Sequence, residues 1–171
     1  YRLALPAAVL AVLLVSGGPA WERIIDAPED AVFAGGLERG WIDERLPDDA
    51  RVTKLYLESA ACPSSALTRH ALFLTEFFNE TVDRANYVGD SVPDGIPLDR
   101  VNVGQGGTLV LDASGDPLQA DYVYTQPGIE LEGERLGAGT AANLQLWKTD
   151  GRVRIPGARS NEDVRTADCA A

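Results

Sequence analysis

The segment from Val52 to Gly89 constrains the fold more than any other part of the chain. VTKLYL, Val52 to Leu57, is β-branched and aromatic and is bounded by turn residues, the pattern of a buried strand. The loop ESAACPSS follows, and Ser64 or Ser65 is suited to cap a helix. From Ala66 to Asn79, the apolar residues Leu67, Ala71, Leu74 and Phe78 recur at i, i+4, i+7 and i+11, on one helical face. ANYVG, Ala85 to Gly89, reads as a second strand. Strand, helix, strand in this order predicts a βαβ unit with parallel strands and a right-handed crossover.

The pattern then changes. Asp90 to Asp99 is a Pro/Gly/Asp loop, RVNV a short strand and GQGG a turn. TLVLD and PLQADYVYT predict a hairpin around Ser114-Gly115. IELEGERLG and NLQLWKTDGRVRI predict two more, with Asp150-Gly151 the strongest turn signal. The expected fold class is α/β: a small mixed sheet with a βαβ unit followed by antiparallel hairpins, preceded by an N-terminal transmembrane helix.

That helix is expected from Leu3–Trp21, which carries no charge over 19 residues. A helix of that length rises about 28 Å, close to a bilayer's hydrocarbon core. Three readings compete: the last transmembrane helix of a longer polytopic protein, a signal peptide, or a buried core helix. The chain has no Met and starts Tyr-Arg, which favours the first. Arg2 before the run and acidic residues after it put everything past residue 21 on the extracytoplasmic side of the cell membrane. The expected partner is therefore the lipid bilayer, through residues 3–21. The expected organisation is residues 1–21 as transmembrane helix or signal anchor, 22–50 as a helical connector weakened by Gly35, Gly36 and Gly40, 51–157 as an extracytoplasmic α/β domain, and 158–171 as a polar tail.

Net charge is −11 and the pI about 4.4, with Lys54 and Lys148 the only lysines. Nucleic acid is excluded as a partner, because phosphate binding needs clustered Lys and Arg. Cys62 and Cys169 are a candidate disulfide if the chain is exported; the rival readings are two unrelated thiols or a thiol nucleophile.

No residue pattern identifies a catalytic centre. His70, the single histidine, has no local carboxylate to orient it and reads as structural or surface. A Cys62–His70 nucleophile and base lacks any surrounding signature. GQGGT lacks the Lys-Ser/Thr of a P-loop and reads as a turn. Asp112, Ser114 and Asp116 resemble the start of a calcium loop, but its twelfth position is Val123, so no metal or other cofactor is expected. Acidic doublets such as Glu162-Asp163 fall in turns or tails and read as solvated charge. Asn79-Glu80-Thr81 fits a glycosylation sequon at a helix end.

WIDERLPDDARVTKLYL, TEFFNETVDRANYVGD, ADYVYTQPGIELEGERLG and LQLWKTDGRVRI together resemble the C-terminal extracytoplasmic region of actinobacterial polytopic membrane glycosyltransferase-like proteins, over about Arg2 to Ile155. Thr75–Asn79 and Ala120–Val123 carry most of the likeness. The resemblance implies a parent using lipid-linked sugars and cell-envelope acceptors. Its catalytic carboxylates would lie elsewhere, so none is assigned here. This piece would be a non-catalytic accessory domain beside its parent's membrane domain. The alternative is a small secreted or membrane-anchored envelope module that binds glycan, with Trp41, Tyr124 and Trp147 as candidate sugar-stacking residues. A third reading is an exported hydrolase using Cys62 or His70.

Overall fold

A computed structural model describes residues 27–34, 37–57, 65–89 and 98–167. Three helices are present among them: α1 (Ala27–Val32), α2 (Ala66–Phe78) and α3 (Asn161–Ala167). Seven strands form one sheet: β1 (Val52–Leu57), β2 (Val82–Val88), β3 (Asp99–Val103), β4 (Leu109–Leu111), β5 (Tyr122–Thr125), β6 (Glu134–Gly139) and β7 (Leu144–Lys148). Their order across the sheet is β4-β3-β2-β1-β5-β7-β6.

The βαβ unit is present. β1 and β2 are parallel, with Tyr56 opposite Tyr87, and α2 connects them. Ser65 caps α2, its hydroxyl accepting from the Thr68 N–H at 3.0 Å. The predicted stripe is buried at Ala71 and Leu74 and half-buried at Leu67 and Phe78, with Leu72 and Thr75 completing it.

The second half departs from the expected run of hairpins. β3 lies parallel to β2, not antiparallel. The turn after β4 reverses the chain only as far as an isolated bridge between Val110 and Pro117, and proline has no N–H with which to extend a ladder. The chain then crosses over, and β5 pairs parallel with β1 on its other side. β3–β4, β5–β7 and β6–β7 are antiparallel pairs; after Asp150-Gly151 the chain forms no further strand of the sheet but bridges Thr108 through Arg154, with the Leu109 N–H donating to the Val153 carbonyl and the Ile155 N–H to that of Gly107. Four parallel strands thus sit at the centre, with antiparallel strands at both edges.

β1 is buried at every position, as a central strand covered on both faces should be. Its alternating side chains feed two cores. Val52 and Tyr56 face α2 with Tyr87, Tyr124, Leu144 and Leu146. Leu55 and Leu57 face the other way, with Val88, Val123, Trp147, Leu118 and Ile155.

The expected membrane-spanning helix is not upheld. Among the described residues no helix is long and apolar enough to cross a membrane. The longest, α2, has 13 residues, about 20 Å, and carries Arg69 and Glu76. Residues 3–21 lie outside the described residues, so the bilayer partner and the membrane-bound, extracytoplasmic placement have no support in the fold. The expected disulfide fares the same way: no bridge occurs among the described residues, and Cys62 and Cys169 both lie outside them.

Within the predicted polar tail, residues 161–167 form α3 instead. Ser160 and Asp163 cap it reciprocally: the Ser160 hydroxyl accepts from the Asp163 N–H, and the Asp163 carboxylate accepts from the N–H groups of Arg159 and Ser160. Asn161 ties the helix to β3 by accepting from the Val103 N–H at 2.7 Å, and Val164 is buried.

Candidate functional site

The helix-covered face is closed by hydrogen bonds. Asn79 Oδ1 accepts from the N–H groups of Ile42 and Asp43 at 2.9 and 3.1 Å, and Nδ2 donates to the carbonyls of Arg39 and Thr75. The amide is fully used and buried, which removes Asn79 as a glycosylation acceptor. Asp43 accepts from the Glu80 and Thr81 N–H groups. Lys54, buried on β1, pairs with Glu76 on α2. Tyr124 donates its hydroxyl to the Leu72 carbonyl at 3.0 Å. Burial, with a smaller push from the Glu76 carboxylate, holds the Tyr124 phenol well above its ordinary pKa. These groups brace the structure and leave nothing for a ligand.

The three candidate sugar-stacking residues share this fate. Trp41 is 3% exposed, its indole N–H donating to Thr75 and Arg45 lying over its ring. Tyr124 is 0% exposed and Trp147 8%. A pyranose ring needs an open aromatic face, and none of the three offers one; the strands turn Tyr124 and Trp147 inward by simple alternation. His70 is exposed on α2. Cys62 lies outside the described residues, and the Cys62–His70 pairing with it. Asp112 accepts from the Asn102 amide in a turn, and among the described residues no group of three His, Cys, Asp or Glu is placed to hold a metal ion.

Ligands of open α/β sheets commonly bind at the carboxyl ends of the parallel strands. The loops that leave β1 and β2 there include residues 58–64 and 90–97, outside the described residues. At the opposite end lies a cleft of about 310 Å³, within the size range of small-ligand sites. Four separate segments line it: Arg51 and Thr53 at the start of β1, Asp83 and Arg84 on β2, Gln119 and Asp121 before β5, and Gly151 in the turn after β7. The parallel pairing of β1 with β2 and β5 brings these starts together, with Val52 opposite both Val82 and Tyr122.

Arg51, Asp83, Arg84, Gln119 and Asp121 are exposed, and Thr53 is buried at the cleft's floor. Among the described residues, the side chains of Arg51, Asp83, Arg84 and Asp121 enter no ion pair or hydrogen bond. The cleft therefore presents two guanidinium donors, two carboxylate acceptors, an amide and a hydroxyl, balanced in charge. Sequence reasoning missed it because the four segments are far apart in the chain and none is a motif alone. Asp121 was the one signal, lying within the Ala120–Val123 stretch. No known protein family, curated protein or solved structure matches the chain.

Proposed function

We propose that this domain is a non-catalytic binding module whose cleft takes a neutral, hydroxyl-rich ligand of the glycan class. The observation that carries the reading is the uncommitted hydrogen-bonding capacity of Arg51, Asp83, Arg84 and Asp121. A sugar hydroxyl donates and accepts at once. Carboxylates and guanidiniums side by side satisfy both roles, and each such charge-assisted bond is stronger than a neutral one. An anion alone would leave the carboxylates opposed; a cation would do the same to the arginines.

Within this proposal, the domain serves as an accessory part of a glycosyltransferase-like protein, holding acceptor or product rather than reacting with it. The inclusion of Asp121 in the stretch that carries that resemblance favours this reading. Isothermal titration of the full chain with neutral oligosaccharides tests it. Binding that weakens about tenfold or more in Arg84→Ala and Asp121→Ala supports it. Absence of heat and of amide shift changes at millimolar oligosaccharide overturns it.

A further inference from the structure

We infer that Thr149 is the positioning residue of the cleft, a role that rests on the glycan-binding reading above. Two of the four segments that line the cleft, residues 119–121 and the turn at Gly151, lie outside the strands. The β5–β7 ladder ends at the pair Tyr122 and Lys148, just short of the cleft. Farther along, the Val153 N–H donates to the Leu118 carbonyl at 3.1 Å. Between these two anchors run Gln119, Ala120 and Asp121 on one side and Gly151 on the other, all at the cleft.

Thr149 bridges that interval with three hydrogen bonds. Its N–H donates to the Asp121 carbonyl at 2.9 Å. Its hydroxyl donates to the Ala120 carbonyl and accepts from the Gly151 N–H, the latter at 3.2 Å. One hydroxyl therefore joins both segments, as donor to one and acceptor from the other. Valine has the same shape and can do neither; serine can do both. The bridge also has little room to relax away from the cleft. Gly133 (φ 151°) passes so close behind it that a Cβ there would collide with the Lys148 carbonyl. Thr149 is not among the residues lining the cleft, so it acts through the backbone that carries Asp121 and Gly151. Hydrogen bonds weaken steeply as they are misaligned, so the placement of the Asp121 carboxylate governs how well a ligand hydroxyl is held.

Isothermal titration with a neutral oligosaccharide and amide hydrogen exchange, both on the full chain, test this together. In Thr149→Val, affinity is expected to fall about fivefold or more, and exchange at Gly151 to accelerate about tenfold or more, while exchange in β1 stays unchanged. Thr149→Ser is expected to bring both back to within about twofold of the native chain, because it keeps the donor and the acceptor. A merely structural role would raise exchange through β1 and β7 alike, and that result overturns the positioning role. So does a Thr149→Val chain that binds oligosaccharide as tightly as the native one. If the native chain binds no oligosaccharide, the glycan reading fails, and exchange still decides the rest. Acceleration confined to Gly151 and its neighbours supports Thr149 as the residue that sets the cleft, and unchanged exchange there overturns it.

Discussion

Asn79 and Asn86 are both buried, at 2% and 0% exposure, yet they are treated in opposite ways. Asn79, beneath the helices, fills its amide with four partners. Asn86, on β2, leaves both amide atoms without one. Cross-strand register places Asn86 and Thr125 on either side of Leu55, on the face away from α2, and the Thr125 hydroxyl is also unpartnered. So is the indole N–H of Trp147, on the same face. Beneath α2, Asn79 and Asp43 turn their polar groups into cross-links between distant segments. On the opposite face, the cluster of Asn86, Thr125 and Trp147 leaves polar groups unpartnered among aliphatic side chains, on the same face as Thr53 at the floor of the cleft.

The largest effect should come from Asn79→Ala, which strands the Ile42 and Asp43 N–H groups and costs about 4 kcal/mol in urea unfolding. Asn86→Leu is expected to be neutral, or stabilising by up to about 1 kcal/mol, because it removes an unpaired buried amide. Equal losses at the two sites would break the contrast. Leu55→Ala and Leu146→Ala, one on each face, should each cost about 3 kcal/mol. Similar values would show that the faces differ in polar rather than apolar packing. Arg51→Ala and Arg84→Ala should shift stability by less than about 0.5 kcal/mol while weakening oligosaccharide binding about tenfold or more. A large stability loss would move the cleft residues to the bracing side of the comparison.

The smallest effect is a pH dependence at α3. The Arg159 backbone N–H, helped by Ser160, holds the Asp163 carboxyl below its ordinary 3.8. A lowered folded pKa means the cap contributes above the unfolded value and is lost as pH falls through the folded one. Amide exchange across Asn161–Val164 should therefore accelerate below about pH 4, and Asp163→Asn should remove that step.

The parts legible in the sequence were those with local signals. Ser65, the apolar stripe of α2 and the β-branched run of β1 each declare themselves within a few residues, and the βαβ unit followed. The insertion of β5 beside β1 has no such signal. The same four residues, Tyr122 to Thr125, alternate equally well for a hairpin, and only the competition for an edge of β1 decides. Alternation also turned Tyr124 and Trp147 inward, where an aromatic residue read in isolation looks available. The α3 cap was missed because its third position is Asp163 rather than the Glu or Gln of the usual box. Apart from Asp121, the cleft had no signal in the sequence, since it exists only once four segments are gathered at one end of the sheet.

The parallel pairing of β1 with β5 joins residues about 70 positions apart. While the chain is being synthesised, β1 and α2 emerge long before Tyr122. Until then β1, apolar on both faces, has an open edge able to pair with any passing strand. The late arrival of β5 closes that edge. A nascent chain stalled before Tyr122 should be the form most dependent on a chaperone, although the finished domain hides every residue of β1.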